Sequence, residues 1–304
     1  MIREMIADKA IVAVHTFLIT EELTMKNLGY YNGTFGPLEE MTVPMNDRAC
    51  YFGDGVYDAG LVRDYHVFAM EDHLNRFYGN AEKLDIQVPM PKEELRDLIN
   101  ELVLKLDQGD LFLYYQVTRG TAIRDHTYER GVGNLWITIK PATITDGKKP
   151  IGLITTEDQR FFKCNIKTLN LLLNVLAAQK AKDAGCTEAV FYRPGGRVTE
   201  CAHSNVHILK DGVLHTAPLD ELILPGITRA HMLKLCDQMG VPYVEEPFTV
   251  EDLKAADEIL VTSSTKFCMR ADRLDGEPVG GKDLKTFEKI RSALYEEFLE
   301  DTKA

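Results

Sequence analysis

The hydrophobic pattern of this chain stops between Pro141 and Pro150, in the stretch PATITDGKKP, and resumes on either side. A proline-framed, mostly polar or small segment cannot carry a buried strand or helix, so it reads as a linker that splits the chain into two packing units. With 304 residues there is length for a real core on each side. We expect a smaller N-terminal α/β domain at 1–140, a linker at 141–150 and a larger C-terminal strand-rich α+β domain at 151–304.

Within the first part, Leu61–Met70 (LVRDYHVFAM) reads as a strand, and Asp72 as the N-cap of a helix that spaces Leu74, Phe77, Ala81 and Leu84 along one face. After Pro91 a second helix carries Leu95, Leu98, Ile99, Leu102 and Leu106 on one stripe. Leu111–Thr118 and Leu135–Ile139 are β-branched and aromatic runs, hence strands. In the second part a helix is expected over about Leu169–Ala184, ending at Gly185. Strands follow at Glu188–Tyr192, Arg197–Glu200, Asn205–Lys210, Val213–His215 and Glu258–Thr262, the third and fourth joined by Asp211-Gly212. Leu222-Ile223-Leu224 reads as strand-like and runs through Pro225-Gly226 into a helix ending near Gly240.

Composition excludes several classes of partner. Asp and Glu outnumber Lys and Arg by 47 to 35, a formal charge of −12 that repels nucleic-acid phosphates and anionic lipid surfaces. No run approaches the length of a membrane span, and the apolar stretch at 10–19 is interrupted by His15 and flanked by acidic residues, so we read it as folded sequence rather than a signal peptide. The six cysteines show neither metal-ligand spacing nor a disulfide pattern, which fits reduced thiols in a cytoplasmic protein without a metal site.

Four segments could carry chemistry. Lys167 stands just before an apolar helix, where loss of solvation lets an amine act as a nucleophile near neutral pH. Glu200 ends a strand and is followed by small and polar residues. LILPGITR, residues 222–229, turns into a helix whose first free N–H groups belong to Ile227 and Thr228, an anion site in waiting. VTSST, residues 261–265, ends a buried strand in hydroxyls suited to phosphate or to capping.

In this order and spacing, the segments resemble the class IV (fold type IV) pyridoxal-phosphate transaminases, a family that includes D-amino acid and branched-chain aminotransferases and aminodeoxychorismate lyase. The resemblance runs from Asp47–Tyr57 to about Gly280 and includes His73-Leu74-Asn75-Arg76, Ile166-Lys167-Thr168-Leu169-Asn170 and Pro225-Gly226-Ile227-Thr228-Arg229. It implies a two-domain α+β fold with a pseudo-barrel C-terminal domain. Lys167 would then join the cofactor covalently and act as the base at the substrate Cα, and Glu200, 33 residues later, would pair with the pyridine nitrogen. Arg76, the backbone of Ile227 and Thr228, and Ser264 or Thr265 would hold the phosphate, with Leu224 on the ring face.

The stretch Thr118–His126 looks like the D-amino acid aminotransferases, where an Arg-x-His pair and a tyrosine trap the substrate α-carboxylate; here these are Arg124, His126 and Tyr57. In that family the Arg-x-His loop reaches into the neighbouring subunit's site, which implies a homodimer. The expected reaction moves an amino group from a D-alanine-like amino acid to a 2-oxo acid such as 2-oxoglutarate. A branched-chain L-amino acid transaminase, the lyase and a non-catalytic cofactor binder are the alternatives, and Arg124-Asp125-His126 argues against the first of them. The chain departs from the family at Cys201-Ala202-His203-Ser204, where relatives carry Gly-Ser-Ser-Ser, and at Lys266–Arg270, a stretch expected to border the substrate pocket. It also carries some fifteen to twenty additional N-terminal residues.

Overall fold

The computed structural model of the protein describes residues 24–303. The apolar stretch at 10–19 and the N-terminal extension lie outside the described residues. Among the described residues, strands β1 (Leu28–Tyr31) and β2 (Thr34–Gly36) come first, followed by α1 (Arg48–Phe52), β3 (Gly55–Arg63) and β4 (His66–Val67). Helices α2 (Met70–Lys83) and α3 (Lys92–Val103) come next, then β5 (Leu111–Thr118) and β6 (Asn134–Pro141). The six strands form one antiparallel sheet in the order β2-β1-β6-β5-β3-β4. Leu74, Phe77 and Ala81 of α2 and Leu95, Ile99 and Leu102 of α3 supply its apolar cover, as their helical spacing predicts.

Two local departures have backbone causes. The expected strand at Leu61–Met70 is broken by Asp64 and Tyr65, both at positive φ (53° and 65°), which turn β3 into the short β4. Ala69 is left-handed (φ 49°), so α2 begins at Met70 and Asp72 sits within its first turn rather than capping it. A carboxylate there still meets the positive end of the helix dipole. Leu106 lies beyond α3, yet it is buried in the same core.

The second sheet begins with β7 (Ile151–Glu157), followed by α4 (Leu172–Asp183), β8 (Glu188–Tyr192), β9 (Val198–Cys201), β10 (Asn205–Lys210) and β11 (Val213–Thr216). Then come α5 (Ile227–Met239), β12 (Tyr243–Glu245), α6 (Val250–Ala255), β13 (Glu258–Ser263), β14 (Phe267–Leu274), β15 (Glu277–Pro278) and α7 (Leu284–Asp301). The strand order is β12-β11-β10-β13-β14-β7-β8-β9, with β15 on β14. The sheet is mixed, since β7 runs parallel to both β14 and β8. It curls enough that β9, at one end, packs beside β10 near the other. The whole is an α+β fold of helices and strand-rich curled sheets.

Leu222–Leu224 is irregular chain, not a strand. Its N–H groups go to side chains instead of a ladder: Leu222 donates to Asp220 (2.8 Å) and Leu224 to Glu200 (2.9 Å). The segment read as a linker is held, not loose. Ala142 and Ile144 pack on an apolar cluster, Arg291 donates to the Asp146 carbonyl, and Gly147 (φ 72°) lies where a Cβ would meet the Cys268 carbonyl at 2.3 Å. That cluster joins the two halves through Leu61 and Phe68 on one side and Ile227, Phe267 and Phe298 on the other. Among the described residues no helix is long and apolar enough to cross a membrane, and all six cysteines are free thiols.

Phe298 is fully buried in this cluster, with its ring 5.3 Å from Phe68 and 4.5 Å from Phe267. Truncation to alanine is expected to lower unfolding free energy by about 3–5 kcal/mol, read from the midpoint of urea denaturation; a change below 1 kcal/mol would show that this cluster does not hold the halves together.

Candidate active site

Strand β3 presents the site. Residues 166–169 cross it as an extra extended segment: the Tyr57 N–H donates to the Lys167 carbonyl (3.0 Å) and the Leu169 N–H to the Gly55 carbonyl (3.1 Å). Gly55 makes the crossing possible, because a Cβ there would meet Val117 O at 2.6 Å and Leu169 Cδ1 at 2.7 Å. Lys167 is thus fixed by main-chain pairing, and α4 starts five residues later rather than directly after it. Its Nζ lies 4.3 Å from the centre of the Tyr57 ring, and that ring stacks on Tyr114 at 5.3 Å.

Across a cavity of about 320 Å³ sits Glu200, at the end of β9. One of its oxygens accepts from Arg160 Nη1 (2.5 Å), the other from Leu224 N (2.9 Å) and Asn205 Nδ2 (3.2 Å). Burial pushes the Glu200 pKa above the usual carboxylate range, and the Arg160 cation offsets part of that rise. Arg160 is held in turn by Asp158, through Nε (2.9 Å) and Nη2 (3.0 Å). Thr199 donates to the same carboxylate (2.9 Å). Burial disfavours the Arg160 cation, but Asp158 and Glu200 outweigh it and keep the guanidinium charged.

The third wall is an anion cradle. Arg76, on α2, donates twice to Asp58 (2.9 and 2.7 Å) and turns Nη1 to the Pro225 carbonyl (3.2 Å), across to the second half. Asp58 also accepts from His73 Nδ1 (2.7 Å). Burial alone would raise Asp58, but Arg76 and His73 hold it well below the ordinary carboxylate range. Burial also lowers the His73 pKa. At the start of α5, Gly226 offers no side-chain cap, so the first N–H groups of the helix are free to meet an anion. The Thr228 hydroxyl there is buried with no hydrogen-bond partner. Gly226 leaves room beside it, since a Cβ would fall 2.0 Å from Asn205 Oδ1.

The structure therefore brings Tyr57, Arg76, Lys167, Glu200, Leu224, Ile227, Thr228 and Ser264 around one cavity. Thr265 is not on its wall; the Thr265 hydroxyl lies 3.5 Å from that of Ser263. Arg124 and His126 are exposed and lie apart from this cavity, both beside Phe52, at 5.1 Å and 5.4 Å from its ring. Their loop is anchored by Arg48, whose Nη1 donates to the carbonyls of Asp125 (2.7 Å) and Thr127 (3.2 Å). His203 lies on the cavity wall, half exposed, with Nδ1 2.9 Å from the buried Glu188. Residues 266–270 do not line the cavity: Phe267, Cys268 and Met269 point into three separate apolar cores. Sequence reading missed Asp58 and Arg160, whose partners Arg76 and Glu200 lie 18 and 40 residues away, and Asp158, whose pairing with Arg160 two residues on carries no signal without Glu200.

A half-buried amine, a hydrogen-bonded carboxylate and an anion cradle around one cavity, on two strand-rich halves, define an enzyme built for a phosphorylated carbonyl cofactor. The comparisons agree. The profile of the amino-transferase class IV family matches residues 55–274, and this chain belongs to that family. It is 36% identical over 277 residues to a D-alanine aminotransferase from Bacillus licheniformis, covering 90% of this chain and 97% of that protein. A D-alanine aminotransferase from Listeria monocytogenes is 38% identical over 270 residues, covering 86% and 92%. Among solved structures, the branched-chain aminotransferase from Thermoproteus uzoniensis with norvaline superposes with a TM-score of 0.80 at 25% identity, covering 90% of this chain and 97% of that one. The cofactor is pyridoxal 5′-phosphate (PLP). The uncapped helix start, the unpartnered Thr228 hydroxyl and Arg76 fit its phosphate.

Gly226→Ala should displace Asn205 and crowd the cradle together. It is expected to weaken PLP binding by about tenfold or more, measured by cofactor titration with absorbance; unchanged affinity would show that the phosphate does not sit at the start of α5.

Proposed function

We propose that this class IV aminotransferase transfers the amino group of D-alanine or a similar D-amino acid to a 2-oxo acid such as 2-oxoglutarate. The observation that carries the reading is the convergence of Lys167, Glu200 and Arg76 on one cavity beside the uncapped start of α5. Identities of 36% and 38% to D-alanine aminotransferases, over nearly whole chains, support the substrate class. PLP, when bound, supplies the electron sink that makes loss of the α-proton feasible. Lys167 is the base that takes this proton and returns it on the other side of the transfer. Glu200, fixed by three donors, would pair with the ring nitrogen and favour a proton there. Arg76, the N–H groups of Ile227 and Thr228, and the Ser264 hydroxyl would hold the phosphate, with Leu224 at the ring.

The α-carboxylate falls to Tyr57 together with Arg124 and His126, and a guanidinium suits it through paired hydrogen bonds. Since Arg124 and His126 do not reach the cavity of their own chain, they serve the site of a second copy, and the working unit is a homodimer. Exposed apolar side chains near the cavity mouth and the loop support this, among them Phe161, Phe162, Leu172 and Ile123. Free cysteines and the acidic surface suit a cytoplasmic setting.

The test is the absorption spectrum of the PLP-loaded protein, with D-alanine in one cuvette and L-leucine in another. Conversion to the pyridoxamine form by D-alanine alone is the expected result; conversion by L-leucine alone makes the enzyme a branched-chain aminotransferase, and pyruvate release from aminodeoxychorismate without an acceptor makes it a lyase. Lys167→Ala should abolish turnover. Arg124→Ala should raise KM for the amino acid about tenfold or more while leaving PLP affinity unchanged, and an unaltered KM removes Arg124 from the carboxylate trap.

A further inference from the structure

The two helices that grip the phosphate are tied to each other one turn away from it. Arg76 lies on α2, and Asp72 lies four residues before it; Ile227 opens α5, and His231 lies four residues after it. Residues four apart share a helix face. His231 Nε2 is 3.1 Å from Asp72 Oδ2, and its Nδ1 is 2.9 Å from Glu297 Oε2 on α7. The imidazole therefore joins α2 of the first half to α5 and α7 of the second, and its ring lies 5.5 Å from that of Phe68.

Both ring nitrogens face carboxylate oxygens, which only accept. A neutral imidazole has one N–H and satisfies one of them; the imidazolium donates to both. We propose that His231, as the imidazolium, is a positioning residue that holds Arg76 and the start of α5 in register, so that the grip on the cofactor phosphate depends on this proton. The inference rests on the reading of the cavity as the PLP site. The charged groups around the ring are Asp72 from α2, Glu297 from α7 and, on α5 itself, Lys234, whose Nζ is 3.9 Å from Glu297. Asp301 on α7 is already engaged, accepting from the Ala69 N–H (2.8 Å). The hydrogen bond to Glu297 raises the His231 pKa, burial opposes it, and Asp72 adds to the rise. Because the folded pKa lies above the ordinary value of about 6.5, the stabilisation is fully present below that value and is lost as pH rises through the folded pKa.

The experiment titrates PLP into the full-length protein freed of cofactor, at intervals from pH 6 to 9, for wild type, His231→Gln and Asp72→Asn. Titration of the PLP phosphate and of Lys167 is common to all three and cancels on comparison. The wild-type Kd is expected to rise with pH by about three- to fivefold more than that of either variant, and His231→Gln should match the wild type's high-pH affinity without its low-pH gain. Parallel profiles for all three overturn the clamp. So does a pH-dependent melting temperature that vanishes in the variants with no matching change in Kd, since that is a stabilising contact and not a positioning one. Wild-type protein that takes up no PLP at any pH overturns the reading of the site, and the proposal with it. Asp72 is 57% exposed, so Asp72→Asn carries the comparison even where His231→Gln fails to fold.

Discussion

The structure turns on the main-chain pairing between β3 and residues 166–169. A strand of the first half and a segment of the second share hydrogen bonds through Tyr57, Lys167, Gly55 and Leu169, and this seam sets where the amine stands. Alternation along β3 does the rest. Val56 and Val62 face the first core, as does Asp58, which reaches His73 and Arg76 on α2. Tyr57, on the opposite face, meets Lys167. One strand therefore meets Lys167 on one side and Arg76 on the other, and a one-residue slip would lose both.

The site solves an electrostatic problem peculiar to an acidic chain. A formal charge of −12 opposes the binding of an anion, so attraction must be local. Two guanidiniums in the cavity wall are fixed by buried carboxylates: Arg76 by Asp58, and Arg160 by Asp158 and Glu200. A carboxylate partner cancels much of the charge, yet it holds the remaining donors in one direction without loss of rotamer freedom on binding. What the wall offers an anion is local: the N–H groups at the start of α5 and the Thr228 hydroxyl have no partner, and Arg76 lines the same cavity. Burial raises Glu200 while its donors pull the other way, which leaves a carboxylate able to share a proton with a ring nitrogen.

Which parts were legible in the sequence follows from range. β5, β8 and α3 read directly because their apolar spacing is local, and the Asp211-Gly212 turn marks its hairpin. Lys167 and Glu200 stand out locally only as an amine before an apolar helix and a carboxylate ending a strand; their expected roles, and Arg76 altogether, come from the family's motifs. The start of α2 was misread because Ala69 adopts a left-handed conformation that no residue type there announces. Leu222–Leu224 looks like a strand since its side chains are apolar and buried or half-buried; only the carboxylates of Asp220, two residues back, and Glu200, 24 residues back, show where its N–H groups go instead. Residues 266–270 looked like pocket wall by position in the motif order, but Phe267 (φ 55°) turns the chain so that three side chains enter cores instead.

The same logic places the choice of enantiomer outside what this fold determines. On the proposed reading, the groups that hold the cofactor do not by themselves set the hand of the substrate, since Lys167 delivers its proton to one face whichever substrate is present. Handedness is then decided by where the α-carboxylate is caught, because that fixes which bond at Cα points to Lys167. On the proposed reading the catching groups are Arg124 and His126, which belong to a loop secured by Arg48 and set apart from its own cavity. Arg48 Nε is bound to Asp54 (2.8 Å), and Arg119 Nε reaches the same carboxylate (3.0 Å) while its guanidinium covers Tyr128 at 3.7 Å. The loop is thus braced from inside by two arginines and leaves a third, Arg124, free to face outward. On the proposed reading, such a brace lets the outward group meet its target at a fixed angle, which is what selection between mirror-image substrates demands.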